Sequence, residues 1–461
     1  MSLSLSSDAT LPAAVSEEAK IEVLTAPRVV SRSVMATAAW HSLLWLVVAN
    51  SVGVLLATML LFPQVNNLLG QWTYGRWMPV HMNLQLYGWC SLPLVAFLFR
   101  VYGADREPVA AWCRPVLWIW SCALGIGALS WINGQSSGKL FLDWIGYPRV
   151  LFPMALATLW LVLTYSLVSG WKRTAHSNLP AKILKMTGLA LLLMIPFLIY
   201  FAASPAIYPP INPDTGGPTG ASQLESTLVI LAILLLLPFG LTGRKTAQSW
   251  QMTTAWVVFA AEFLLCLGLG RANVSHHRPI QWISLGSLLV WIPLTPAYYS
   301  AFIWHQNTRR WRIAFLCWWS ILVQTGWMLF LPGVLDHFKF TDGLVGHSLL
   351  AMGGFVSSLL IFVMIQLLGD DGWIFNGAWS FYAWQVSVLA YVLIMFFAGW
   401  REGSDPAFSI VPGVLRDTIY ALRLLLGTLI LLASLDWFVD ASKLLGETAP
   451  AYPYEPQGEC Q

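Results

Sequence analysis

Four histidines stand where ionisable side chains are scarce. His81 lies in YGRWMPVHMN, about one helical turn inside a run that carries no charge after Arg76. His347 holds the same place in FTDGLVGHSLL, and His276 and His277 are adjacent in SHHRP. An ionisable group within a membrane is costly to keep there, and neutral imidazole is a ligand for iron, copper and zinc, heme iron included. The commoner fate of one such residue is a hydrogen bond to a neighbouring helix. Adjacent histidines cannot share a helix face, so the pair fits either an ended helix that turns both rings to one point or two interfacial residues beside Arg271 and Arg278. Several of them meeting at one depth is what would indicate a metal or redox site.

Composition supplies the elements that set that depth. Of 461 residues, 57% are hydrophobic and only 10% charged, which describes an all-α polytopic membrane protein. Charge-poor runs of about 20 residues, enough to cross a bilayer core, lie near 36–62, 79–99, 112–133, 149–169, 185–204, 224–242, 250–270, 280–303, 313–334, 344–368, 378–399 and 417–438. These twelve runs make a bundle over 35–438, between a disordered inner tail at 1–34 and a polar inner tail at 439–461. Arg32, Arg100, Arg106, Arg114, Lys172, Arg173, Arg244, Lys245 and Arg309 to Arg312 gather at one end, which puts both termini inside at a cell inner membrane. Even-numbered spans then run inwards, so His81 and His347 lie within a few ångströms in depth at about 1.5 Å per residue. The His276–His277 pair reaches that layer from the opposite direction. His41, His176 and His305 read as surface or interfacial, and the Pro- and Gly-rich 204–223 loop reads as a cap on the outer face. The net charge of +3 is accounted for by topology and gives no reason to expect nucleic acid. Six scattered cysteines form no C-x-x-C-H site for covalent heme.

The motifs that carry these histidines resemble catalytic subunit I of the heme-copper oxidase superfamily, closest to the cbb-type cytochrome c oxidases and nitric oxide reductases. YGRWMPVHMN is similar to the second-span segment with a low-spin heme ligand. SHHRPIQWISLGSLLVWIP is similar to the adjacent-histidine copper ligands, and FTDGLVGHSLLAMGG to the tenth-span heme motif. WREGS and YALRLLLG fit the end of the chain. The resemblance covers most of the sequence and implies one or two b-type hemes on His81 and His347. It also implies copper or non-heme iron at His276, His277 and Glu225, with propionates neutralised by Arg76, Arg271 and Arg278. Electrons would come from a c-type cytochrome or another donor subunit within a multi-subunit complex in membrane lipid.

The departures are specific. The family's tenth span carries His-x-His, whereas this chain reads His347-Ser348-Leu349, and leucine cannot ligate iron. His81 then faces a five-coordinate heme, a substitute such as Met352, or no heme. The sixth span has no histidine and offers Gln223 and Glu225 at its start, a carboxylate as in the nitric oxide reductases; Glu225 reads equally as an interfacial residue. The seventh span has no tyrosine. A respiratory reductase of oxygen or nitric oxide is therefore expected alongside a non-catalytic structural, electron-transfer or sensing relative. A transporter has less support, since no two-fold repeat is visible.

Overall fold

The computed structural model describes the backbone of residues 17–139, 141–171, 179–208, 223–245, 249–269 and 277–447, with side chains from 32 onward except at 223 and 249. Helices dominate because a bilayer supplies no water for unpaired backbone groups, so each span satisfies its own. In order they are α1 (Glu17–Leu61), α2 (Tyr74–Tyr102), α3 (Ala110–Ile132), α4 (Pro148–Ser169), α5 (Leu179–Ala202), α6 (Gln223–Leu241), α7 (Ser249–Leu269), α8 (Pro279–Ser300), α9 (Arg309–Leu329), α10 (Asp342–Phe375), α11 (Ala378–Ser404) and α12 (Val414–Glu447). Among the described residues, eleven are long and apolar enough to cross a membrane. The exception is α9, where Arg309, Arg310 and Arg312 open the helix and four tryptophans replace aliphatic residues. It is nevertheless packed into the bundle through buried Trp311, Phe315, Trp318 and Trp319.

Tryptophan ties the bundle together because its large ring packs while its N–H needs an acceptor. Trp120 donates to the Tyr87 carbonyl, Trp311 to that of Phe375, Trp319 to that of Trp291 and Trp384 to that of Gly353, each joining different elements. Where α10 meets α11 the backbones touch: a Cβ on Gly399 would lie 2.2 Å from the Gly343 nitrogen. Small residues at that crossing permit the approach. The loop after α3 is fastened twice. Asp143 accepts from Ser136 Oγ, the Gly138 amide and Asn83 Nδ2, while Lys139 Nζ donates to the carbonyls of Ala202, Ser204 and Ile207 at the end of α5. α5 and α7 are mostly exposed and form the periphery.

The spans that carry His81 and His347 both change pitch. α2 is π-helical over Leu84–Cys90 and α10 over Leu350–Val356. In each π-turn a serine hydroxyl bonds the carbonyl five residues back: Ser91 Oγ donates to Leu86 (2.9 Å) and Ser357 Oγ to Met352 (2.7 Å). π-turns of this kind are rare and concentrate at functional sites.

Candidate functional site

The His81 imidazole is fixed from two sides by α1. Its Nδ1 lies 2.8 Å from the carbonyl oxygen of Ala49. A carbonyl only accepts, so the proton is on Nδ1 and Nε2 keeps its lone pair. Gly53, one turn on, provides the space for the ring: a Cβ there would sit 2.8 Å from His81 Cε1. Metal-bound imidazoles are oriented by this same donation of the far N–H to a carbonyl.

His81 opens onto a cavity of about 240 Å³ bounded by α1, α2, α10, α11 and α12. Its walls are largely apolar, with Val54, Leu56 and Ala57 on α1 and Leu349, Met352 and Gly353 on α10. The floor forms where α2 and α10 meet, with Trp89 Nε1 donating to Ser357 Oγ at 2.9 Å. The mouth carries Tyr74, Tyr391 and Arg423 and shares Leu60, Tyr74, Val345 and Arg423 with a polar vestibule of about 880 Å³. Arg423 Nη1 donates to Asp342 Oδ2 at 2.8 Å, and Glu402 Oε2 accepts from the Asp342 amide at 2.6 Å. Small-molecule cavities usually measure about 300–1,000 Å³. The inner cavity alone falls short of that range, whereas the vestibule it opens to lies within it.

The other expected site residues are dispersed. His347 shares α10 with this wall but faces elsewhere: a Cβ on Gly326 of α9 would be 3.6 Å from its Cε1, and its Nδ1 is buried without a hydrogen bond. Two residues on, about 200° around the helix, Leu349 faces the cavity, as the His-x-His spacing requires of two ligands on opposite faces. His277 is exposed, with Nε2 3.6 Å from Asp336, which Lys339 also contacts. Glu225 is half-buried in the first turn of α6, Arg278 is exposed before α8, and the Arg76 guanidinium lies against Gly134. No group of three or more metal-ligating side chains occurs among the described residues.

His276, Arg271 and His176 lie outside the described residues, as do 209–222 of the expected cap, 1–16 and 448–461. His41 differs from its interfacial expectation. It is fully buried, 2.8 Å from Ser121 Oγ and between the rings of Trp40 and Trp118, because α1 is the centre of the bundle rather than its edge.

No family model and no curated protein matches the chain. A solved heme-copper terminal oxidase dimer aligns with 91% of this chain and 84% of its own at 12% identity, with a TM-score of 0.44. The fold class, an all-α polytopic membrane protein, stands on the helices themselves. Arg423 is the charged side chain at the cavity mouth that the sequence reading did not place at a site. Its signal was present in YALRLLLG, a guanidinium two turns inside an apolar run, where it is 9% exposed.

Proposed function

We propose that this chain is a heme-binding membrane subunit akin to the catalytic subunit of heme-copper oxidases, serving respiratory electron transfer with reduction of oxygen or nitric oxide. The observation that carries the reading is His81, whose Nε2 lone pair is held towards an apolar cavity by Ala49 and Gly53. The donor set fits heme iron on this side. Heme bound there would supply a one-electron iron couple within the bilayer. His81 binds and orients the iron, and Arg423 and Tyr391 at the mouth offer donors to carboxylates in addition to the expected Arg76, Arg271 and Arg278. His347, directed to α9, is the ligand for a second heme in this reading, with His276, His277 and Glu225 the candidates for copper or non-heme iron. A c-type cytochrome or donor subunit within a larger inner-membrane complex supplies the electrons.

A pyridine hemochrome assay on the purified full chain tests this. Expected is b-type heme, with the heme of the His81 cavity lost in His81→Ala so that at most the one at His347 remains, while the protein stays monodisperse in detergent. A wild-type chain without heme overturns the reading. The second reading, a non-catalytic electron-transfer or sensing relative, draws on Leu349 in the wall facing His81. Consumption of oxygen or nitric oxide that disappears in His276→Ala would exclude it.

A further inference from the structure

We propose that Met352 is the ligand opposite His81, so that the iron in this cavity is held by one imidazole and one thioether. The inference rests on the heme-binding reading above. A trans ligand has to come from the wall across from His81. Met78 and Met82 also line the cavity but belong to α2, three residues before and one after His81, and so share its wall. Cys90 is nine residues further along, about 13 Å down the axis at 1.5 Å per residue. The Gln85 and Asn50 amides are bonded to each other at 2.7 Å.

Among the other helices that line the cavity, α1, α11 and α12 offer it no thioether or imidazole, and the donor inventory of α10 is short. Val345, Leu349 and Gly353 have no donor atom in their side chains. Ser348 Oγ donates to Leu344 at 3.0 Å, and Ser357 Oγ is committed to the Met352 carbonyl and the Trp89 indole. Met352 is the remaining side chain with a soft lone pair, a group heme iron accepts in its axial position.

The local backbone is built around this residue. In the π-turn the Met352 carbonyl accepts from both the amide and the Oγ of Ser357, and Trp89 of α2 donates to that serine, tying the thioether-bearing turn to the helix of His81. Trp384 of α11 pins the next carbonyl, that of Gly353, at 3.0 Å. A methionine on an apolar face ordinarily only packs. Here it borders a void, on a turn held by side chains from its own span and two others.

The test uses the purified full chain with its heme. In ferric wild type the heme of the His81 cavity should be low-spin and show the near-infrared sulfur-to-iron charge-transfer band of a His/Met heme, any heme at His347 being the same background in every variant. Met352→Leu, nearly equal in volume, should keep the heme, lose the band and become high-spin and open to carbon monoxide. Met352→His should restore a low-spin spectrum without the sulfur band and with a lower midpoint potential, since thioether ligation raises the potential. Heme bound without the band in wild type, or a Met352→Leu spectrum identical to wild type, overturns the ligand assignment and leaves heme binding standing. A wild-type chain with no heme removes both.

Discussion

Gly53 matters at the scale of single residues as much as His81 does. Among donors at this depth, what separates His81 from a packing histidine is that its Nδ1 is spoken for and its Nε2 is not, and both depend on the ring lying flat against α1. A branched side chain at position 53 must displace the imidazole, because even a Cβ would approach it to 2.8 Å. Overpacking of this kind costs about 1–3 kcal/mol. If the cost falls on the bound geometry, Gly53→Val weakens heme retention by about one to two orders of magnitude. Heme content per mole of purified Gly53→Val, beside that of a surface control, measures it; full retention would mean that α1 does not set the ring. His81 was legible in the sequence as an imidazole inside an apolar run, whereas Gly53 was not, since nothing in SVGVLL says which neighbour its missing Cβ makes room for.

Helices were legible as far as hydropathy and charge determine them. Charge-poor runs located the spans, and α9 departs from the pattern because its cations and indoles face protein and helix ends, where hydropathy is a poor guide. The π-turns in α2 and α10 were not legible, because each depends on contacts made from outside its own helix. Ser357 illustrates this: it is an ordinary small residue in SSLLIF until Trp89, 268 residues away in the chain, donates to it. Both residues are buried, at 2% and 1% exposure. Ser357→Ala therefore strands the Trp89 indole N–H, at a cost of about 1–3 kcal/mol for a buried donor without a partner, and leaves the Met352 carbonyl with the backbone amide of residue 357 alone. The expected result is a lower unfolding temperature in detergent together with a weakened sulfur-to-iron band. Ser357→Thr keeps the hydroxyl and should retain both. Loss of stability with an unchanged band would separate the role of Ser357 in packing from its role in placing Met352.

For the whole molecule, the question is which membrane face the vestibule opens to, because a donor must approach from that side. Polarity follows from charge. Arg100, Arg106, Arg114, Arg309, Arg310 and Arg312 gather at the end opposite His81, and the acidic partners found there, Asp371 for Arg32 and Asp105 for Arg100, weigh little in orientation. The end at which α2 and α10 begin carries Tyr74, Asp342 and Arg423, a polar cluster that is internally paired and so contributes little retention signal. The charge bias therefore predicts the vestibule on the outer face, in reach of a donor outside the cytoplasm. Single cysteines report this directly. Val411→Cys, in the exposed loop between α11 and α12, should react with a membrane-impermeant maleimide on intact cells. Trp373→Cys, exposed in the 3-10 stretch that ends α10, should react only after permeabilisation, with the parent chain as background. The reverse pattern would place the vestibule inside. It would exclude an outer donor, and the His81 site would have to take its electrons from the cytoplasmic side or from within the bilayer.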